Sequence, residues 1–342
     1  MQNYKKITMT KDIINIFKDK SVLVTGAGGT IGSQICEKLL EKDISRLSCY
    51  DNSEYSLYRL SQEFNEDPRV RYLIGDVRDR ERLERSISSA DIVIHAAALK
   101  HVRFCEFNPD EAYKTNVIGT QNIVDACRKY NVDHGVLIST DKAVNPTSVM
   151  GTTKLLAEKL FMNAPERDGK DNTKFTVVRF GNVFGSAGSV IETFYRQILA
   201  SEQLTLTDEE ISRYFISTSE ACDLVIDCIQ ISKGKFHTPI FILKMKKAKI
   251  KRIAERMYAM NMDQPGRANH INPPKFKITG LNEGEKFEEL LYTSHEKEYL
   301  REMGKYMIVT REKQLEKFEE NESFMKDSEI DQLILEWLSK NR

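Results

Sequence analysis

The chain has 342 residues, enough to bury a large core in one large domain or two intergrown ones. Its 51 Lys and Arg balance its 51 Asp and Glu, so no net field draws it to nucleic acid or to an anionic membrane. No apolar run reaches the length of a bilayer span, and residues 1–20 lack the pattern of a signal peptide, so a protein without a membrane span, located in the cytoplasm, is expected.

Thr10 predicts the cap of a short helix from Lys11 to Phe17. Ser21 to Thr25 reads as a buried strand, a brief apolar run halted at once by glycines. A helix follows over Ile31 to Leu40, then strands over Leu47 to Tyr50, Arg71 to Ile74 and Ile92 to His95. Asn116 to Tyr130 is expected as helix, Gly135 to Ser139 as strand, Thr152 to Met162 as helix and Phe175 to Phe180 as strand. This alternation predicts an α/β fold, a doubly wound parallel sheet with helices on both faces. Beyond Gly181 it degrades. Thr218 to Ile231 reads as helix and Ile240 to Leu243 as a returning sheet strand. Basic residues then crowd Lys244 to Arg252, Asn272-Pro-Pro274 and Gly280 punctuate a loop-rich part, and a charged helical tail runs from Arg311. The six cysteines show neither CxxC pairs nor metal-ligand spacing, which favours buried reduced thiols and no metal site.

Gly26-Ala-Gly28-Gly29-Thr30-Ile31-Gly32 lies between the first strand and the first helix. Glycines there allow a tight turn and a close approach of backbone to a pyrophosphate, whose charge then faces the helix N-terminus. Asp51, with Asn52 beside it, ends the second strand about 20 residues later, where a carboxylate grips ribose hydroxyls and repels a 2′-phosphate. NAD is therefore the expected cofactor. Asp76-Val77 is placed to meet the adenine, and the small run Ala96-Ala97-Ala98 to line the dinucleotide. The expected division is a dinucleotide-binding unit over 1–185 and, over 186–342, a smaller interleaved lobe that returns to the sheet near 215–245.

These motifs, with Asn116 and Lys154, occur in the order of the extended short-chain dehydrogenase/reductases, a Rossmann-type superfamily that the chain resembles. That superfamily uses a tyrosine four residues before a lysine, on one helix face. Here the pair is Met150 and Lys154, and a thioether cannot move a proton. Ser139-Thr-Asp-Lys-Ala-Val-Asn-Pro-Thr147 and Val149-Met-Gly-Thr-Thr-Lys154 resemble the UDP-N-acetylglucosamine 4,6-dehydratases, in the branch carrying methionine. So do Ala98–Val102, Val178–Ser186, Ile211–Phe215 and Gly284-Glu-Lys286, and the likeness runs from about Ser21 to about His295. The resemblance implies oxidation of the hexose at C4, removal of the C5 proton, loss of the C6 hydroxyl, and return of the hydride to C6. Asp141 is then the expected acid, Lys142 the C5 base in its amine form, and Thr140 a hydrogen-bond partner of the C4 oxygen. Lys154 would hold the nicotinamide ribose, and Met150 would be an apolar contact on the cofactor's face. An Asp-Lys dipeptide is ordinarily a solvated turn; its place at the end of a parallel strand sets this one apart.

The resemblance assigns the nucleotide sugar to Lys100, Thr140, Asn182, Val183, Thr205, Arg213 and Glu285, with Arg213 on the pyrophosphate, and Lys100 also to the cofactor. Two positions depart from the family pattern: Asn282 stands where an arginine is usual, and Arg103 where a proline is usual. The reaction expected is dehydration of UDP-N-acetylglucosamine for modified-sugar biosynthesis; retention and inversion at C5 both occur among similar proteins, and the methionine branch favours retention. The alternatives are a UDP-sugar 4-epimerase or reductase, and an inert NAD-binding regulator. A homodimer or larger homo-oligomer is expected, with helices 116–130 and 152–162 pairing across a two-fold axis.

Overall fold

The computed structural model describes residues 15–164, 173–232, 238–262, 274–314 and 323–341. Short apolar runs that end in turn residues organise the first half. β1 (Ser21–Thr25), α1 (Thr30–Leu40), β2 (Arg46–Asp51), α2 (Glu54–Glu63), β3 (Val70–Ile74), α3 (Arg80–Ile87) and β4 (Ile92–His95) alternate strictly. There follow α4 (Val102–Phe107), α5 (Pro109–Tyr113), α6 (Gly119–Lys129), β5 (His134–Thr140), α7 (Val149–Asn163) and β6 (Lys174–Phe180). The second half supplies β7 (Asn182–Val183), α8 (Val190–Leu199), β8 (Leu204–Leu206), β9 (Ser212–Ile216), α9 (Thr218–Ile231), β10 (Ile240–Leu243) and β11 (Lys246–Lys249). It closes with α10 (Ile250–Met262), β12 (Phe276–Ile278), α11 (Ser294–Lys297), β13 (Leu300–Met303), β14 (Tyr306–Val309) and α12 (Asp327–Asn341).

Nine strands form the main sheet in the order β13-β14-β10-β6-β5-β4-β1-β2-β3. The run from β10 to β3 is parallel, and β14 and β13 close one edge in antiparallel fashion. Alternate residues of each parallel strand feed opposite cores, as the pleat requires. Val22 and Val24 of β1 pack with Ile35 of α1 and Leu224 of α9, whereas Leu23 packs with Ile123 of α6 and Phe161 of α7. A third core joins Phe194 of α8, Ile253 of α10 and Ile334 and Trp337 of α12. It lies beside two small sheets, β11-β9-β7 and β12-β8.

Several elements differ from the sequence expectation. Of the helix expected over 11–17, residues up to 14 lie outside the described residues, and 16–19 form a turn. The helix expected from Asn116 begins with a π-helical turn, Lys114–Ile118, before α6. The basic stretch 244–252 becomes β11 and the start of α10, whose Arg252 and Arg256 pair with Asp327 and Asp331 of α12. In the tail, 315–322 lie outside the described residues and helix begins only at Asp327.

One buried ionic cluster joins sheet, helix and C-terminal segment. Arg179 of β6, 1% exposed, donates from Nε and Nη2 to both carboxylate oxygens of Glu158 on α7, at 3.0 and 2.6 Å. Its Nη1 and Nη2 also reach Glu296 of α11 at 3.0 Å each, and Nη1 reaches the Leu291 carbonyl at 3.0 Å. Replacing the guanidinium by an apolar chain strands a buried carboxylate. Arg179→Met is therefore expected to lose about 3–5 kcal/mol of stability. Equilibrium unfolding in denaturant measures this, and a loss under about 1 kcal/mol would show that Glu158 and Glu296 find other partners.

Candidate active site

A cleft of about 710 Å³ opens at the C-terminal ends of β1, β2, β4, β5 and β6, where open α/β sheets place ligands. Its dinucleotide half is shaped by close backbone approach. Gly26 has φ +67°, and a Cβ there would lie 2.7 Å from the Ala97 nitrogen; a Cβ on Gly32 would lie 2.0 Å from the Gly26 carbonyl. No other residue type fits these positions without moving the turn. Gly29, Thr30, Ile31, Asn52, Asp76, Val77, Ala96 and Ala98 line the same half, with Asp51. The Asp51 carboxylate accepts from Gly28 N and Ser53 N at 2.9 Å each, which fixes it at the tip of β2. The Asp76 carboxylate is lowered by its hydrogen bonds to Arg78. A glycine cradle, an α1 N-terminus and a fixed carboxylate fit the pyrophosphate and ribose of a dinucleotide.

The mouth of the cleft is bridged by a single residue. Ala187 donates its N–H to Thr30 Oγ1 at 3.2 Å, and its carbonyl accepts from Lys100 Nζ at 2.9 Å. Burial lowers the Lys100 ammonium, and Glu192 partly offsets the effect. The cleft thus carries a strap from the end of β4 to the start of α1.

The other half gathers the end of β5 and the start of α7. Thr140 ends β5 and caps the turn Asp141–Ala143, accepting from Lys142 N at 3.3 Å. Ser148 caps α7, and a Cβ on Gly151 would lie 2.4 Å from the Lys142 carbonyl, so the turn and the helix start are in contact. This brings Thr140, Lys142, Met150 and Lys154 to one wall of the cleft, beside Asn182 and Val183 of β7. Met150 is buried with Cys105 and Ala112, an apolar contact. Lys154 donates to the Ile138 carbonyl at 2.6 Å, with Glu158 one turn further along α7.

Asp141 lies behind that wall, 0% exposed. Its Oδ1 accepts from Thr140 Oγ1 at 2.8 Å and from Lys142 Nζ at 3.0 Å, while its Oδ2 is buried without a hydrogen-bond partner. Lys142 Nζ also donates to Asn182 Oδ1 at 3.1 Å and lies 3.6 Å from Glu289 Oε1. Glu289 was not singled out in the sequence. It follows Lys286 by three residues within a charged run that reads as solvent-facing.

Some expected contacts are placed otherwise. Asn116 is buried in the π-helical turn, where its amide accepts from Leu99 N and donates to Leu99 O and Thr153 Oγ1. It positions the loop after β4 instead of facing the cofactor half. Arg213 donates to the carbonyls of Ser212, Lys286 and Phe287 and meets Glu285 at 3.5 Å, so its fork fastens the 285–287 segment. Thr205 exchanges hydrogen bonds with Gln197 of α8, away from the cleft wall. Glu285 is held by Thr207 and by both the backbone and side-chain amides of Asn282, so the departure at 282 is a fastening of Glu285. Arg103 stacks over Phe107 on α4.

Comparison with known proteins gives the family. Residues 22–311 match the model of the family described as polysaccharide biosynthesis protein. The chain belongs to that family. It is 43% identical over 301 residues to an uncharacterized membrane protein of Methanocaldococcus jannaschii, covering 88% of this chain and 89% of that one. It is 36% identical over 298 residues to the inverting UDP-N-acetylglucosamine 4,6-dehydratase of Campylobacter jejuni, covering 86% and 84%. It is 33% identical over 301 residues to the UDP-glucose 4-epimerase of Rickettsia bellii, again covering 86% and 84%. The structure of Pen from Bacillus thuringiensis superposes with a TM-score of 0.85 at 37% identity, over 94% of this chain and 98% of that one. Among the described residues no helix is long and apolar enough to cross a membrane.

Burial pushes the Lys154 ammonium down from 10.5 to about 8, and Glu158 offsets only part of that. Between those values the unfolded chain holds the proton that the folded one has lost. The cofactor-free protein therefore gains stability from Lys154 as pH rises from about 8 toward 10.5. Melting wild type and Lys154→Met across this window should show the wild-type Tm rising relative to the variant. A constant difference would mean that the fold leaves the proton affinity of Lys154 unchanged.

Proposed function

We propose that the protein is a nucleotide-sugar 4,6-dehydratase acting on UDP-N-acetylglucosamine, with NAD resident in the glycine-rich half of the cleft. The observation that carries this reading is the pairing, at the end of β5, of Lys142 on the wall that also holds Thr140, Met150 and Lys154 with Asp141 directly behind it. An epimerase works at C4 alone and has no use for a base at C5. Bound NAD supplies a hydride acceptor for C4 and the same hydride for C6.

Every other step falls to the chain itself. Lys154 and Met150 orient the nicotinamide end, one by its ammonium and the other by apolar contact. Thr140 holds the C4 oxygen and passes its proton to Asp141 through the hydrogen bond they share. The new ketone acidifies C5, and Lys142 removes that proton. Asp141 then returns its proton, again by way of the Thr140 hydroxyl, to the departing C6 hydroxyl, which leaves as water. Lys142 gives its proton back to C5 on the face it came from, so configuration is retained. Asn182 and Val183 border the sugar, Lys100 closes the lip, and Glu285 meets the uridine ribose. Glu285 and the lysine of the Gly-Glu-Lys motif are held in place by Arg213. Two chains pairing through α6 and α7 complete the reading, and sedimentation velocity tests that pairing.

Incubation with UDP-N-acetylglucosamine, without added reductant, is expected to replace the C6 hydroxymethyl signal by a methyl signal in the sugar's NMR spectrum. Ring coupling constants then report the C5 configuration. Inversion at C4 alone would favour the epimerase reading, and an unchanged sugar would favour an inert NAD-binding protein. Asp141→Asn and Lys142→Ala should each lower turnover by about 10²–10⁴-fold while NAD stays bound. Turnover close to wild type in either variant removes that residue from the scheme.

A further inference from the structure

Three oxygens surround the Lys142 nitrogen: Asp141 Oδ1 at 3.0 Å, Asn182 Oδ1 at 3.1 Å and Glu289 Oε1 at 3.6 Å. An ammonium has three N–H bonds and matches all three. An amine has two, and one lone pair. The role at C5 given to Lys142 above needs the amine, so one of the three protons must first have somewhere to go.

The neighbours differ in their fitness to take it. Asn182 presents an amide oxygen, which holds no proton at ordinary pH. Asp141 Oδ1 already accepts from the Thr140 hydroxyl, and that carboxylate is committed to the C4 and C6 oxygens. Glu289 has no such duty. It is 4% exposed, and its Oε2 is buried without a hydrogen-bond donor. Lys286 Nζ, which donates one of its three N–H bonds to the Val144 carbonyl at 2.6 Å, stands 3.1 Å from that oxygen as an ion pair. A buried carboxylate held between two ammonium groups, with one oxygen short of an aligned hydrogen bond, calls for an explanation.

We propose that Glu289 is the positioning residue that takes the third proton of Lys142 when the sugar binds. This inference rests on the dehydratase reading. The step is balanced: an N–H bond of the ammonium breaks, an O–H bond on Glu289 forms, and a charged pair becomes a neutral one. The lone pair so formed faces Glu289 first; rotation about the Cε–Nζ bond, with the Asn182 contact given up to the sugar and the Asp141 bond kept, turns it to C5. When C5 is reprotonated, Glu289 returns its proton and the charged pair is restored. Binding itself supplies the trigger. Lys142 keeps 22% of its side chain exposed in the open cleft, and a sugar lying over it removes that water. Loss of water penalises the separated charges far more than the neutral pair. About half an ångström of approach brings the Glu289 contact to hydrogen-bond length.

The test runs the NAD-loaded protein with UDP-N-acetylglucosamine in D₂O, comparing wild type with Glu289→Gln. Two signals are followed: NADH absorbance for oxidation at C4, and deuterium at C5 by NMR. Glu289→Gln is expected to form NADH at a rate near that of wild type, while deuterium entry at C5 falls about 10²-fold. Unchanged or faster exchange at C5 overturns the proposal. Equal loss of both signals also overturns it, since a merely structural residue would slow both steps together. Should Glu289→Gln not fold, Glu289→Asp keeps the acid with a shorter reach: normal NADH formation with partial C5 exchange supports the proposal, and parallel loss overturns it. A wild type that forms neither NADH nor product overturns the dehydratase reading and this inference with it, whereas normal wild-type turnover with an indifferent Glu289→Gln counts against Glu289 alone.

Discussion

A single guanidinium holds the catalytic geometry together. Arg179 comes from the sheet, Glu158 from the helix that carries Met150 and Lys154, and Glu296 from the short helix just beyond Glu289. Arg179 and Glu158 are each 1% exposed, and misplacing a buried charge is expensive. The interaction matters less for net stability than for register. Glu158 also accepts from Ser139, one residue before Thr140, so the same carboxylate indexes the end of β5 against α7. The wall of the cleft is thus aligned from behind by a network that reaches its lining only through Ser139.

In front of that network the site runs on mismatched charges. Lys154 is buried near a carboxylate that is mostly occupied by Arg179, so desolvation dominates and the ammonium is weakened. Asp141 is buried with one oxygen unsatisfied, and Glu289 repeats the pattern on the far side of Lys142. A core built for stability alone would pair or remove these groups. Such unsatisfied groups beside an open cleft are the pattern that functional sites favour.

The sheet was legible because parallel strands buried on both faces must be written as short apolar runs, and β1, β4 and β6 are written that way. The glycine turn was legible for a related reason, since backbone contact at Gly26 and Gly32 excludes every side chain. Helices α2 and α10 were missed. Tyr55 and Tyr58 on the outer face of α2 blur its apolar stripe, and the lysines entering α10 read as a solvated patch. The contacts of Arg213 and Asn116 were not legible because most of their partners are backbone carbonyls and amides, which carry no signature in sequence. The π-helical turn that inserts Asn116 beside Leu99 is likewise invisible in composition. Glu289 sits in a run of charges, and only the folded segment shows which one turns inward.

The bridge at Ala187 has a consequence for exchange with the surroundings. Lys100 and Thr30 fasten Ala187 through its carbonyl and its N–H, on the two peptide units that flank it, and so tie this loop to both the segment after β4 and the start of α1. For a redox enzyme that spends its carrier on each turnover, such a tie would be a brake. In the proposed reaction the hydride taken from C4 goes back to the same sugar at C6, and the carrier ends each cycle as it began. A fastened opening then imposes no delay, and the dinucleotide serves as a fixed part of the protein, with traffic through the cleft left to the sugar alone.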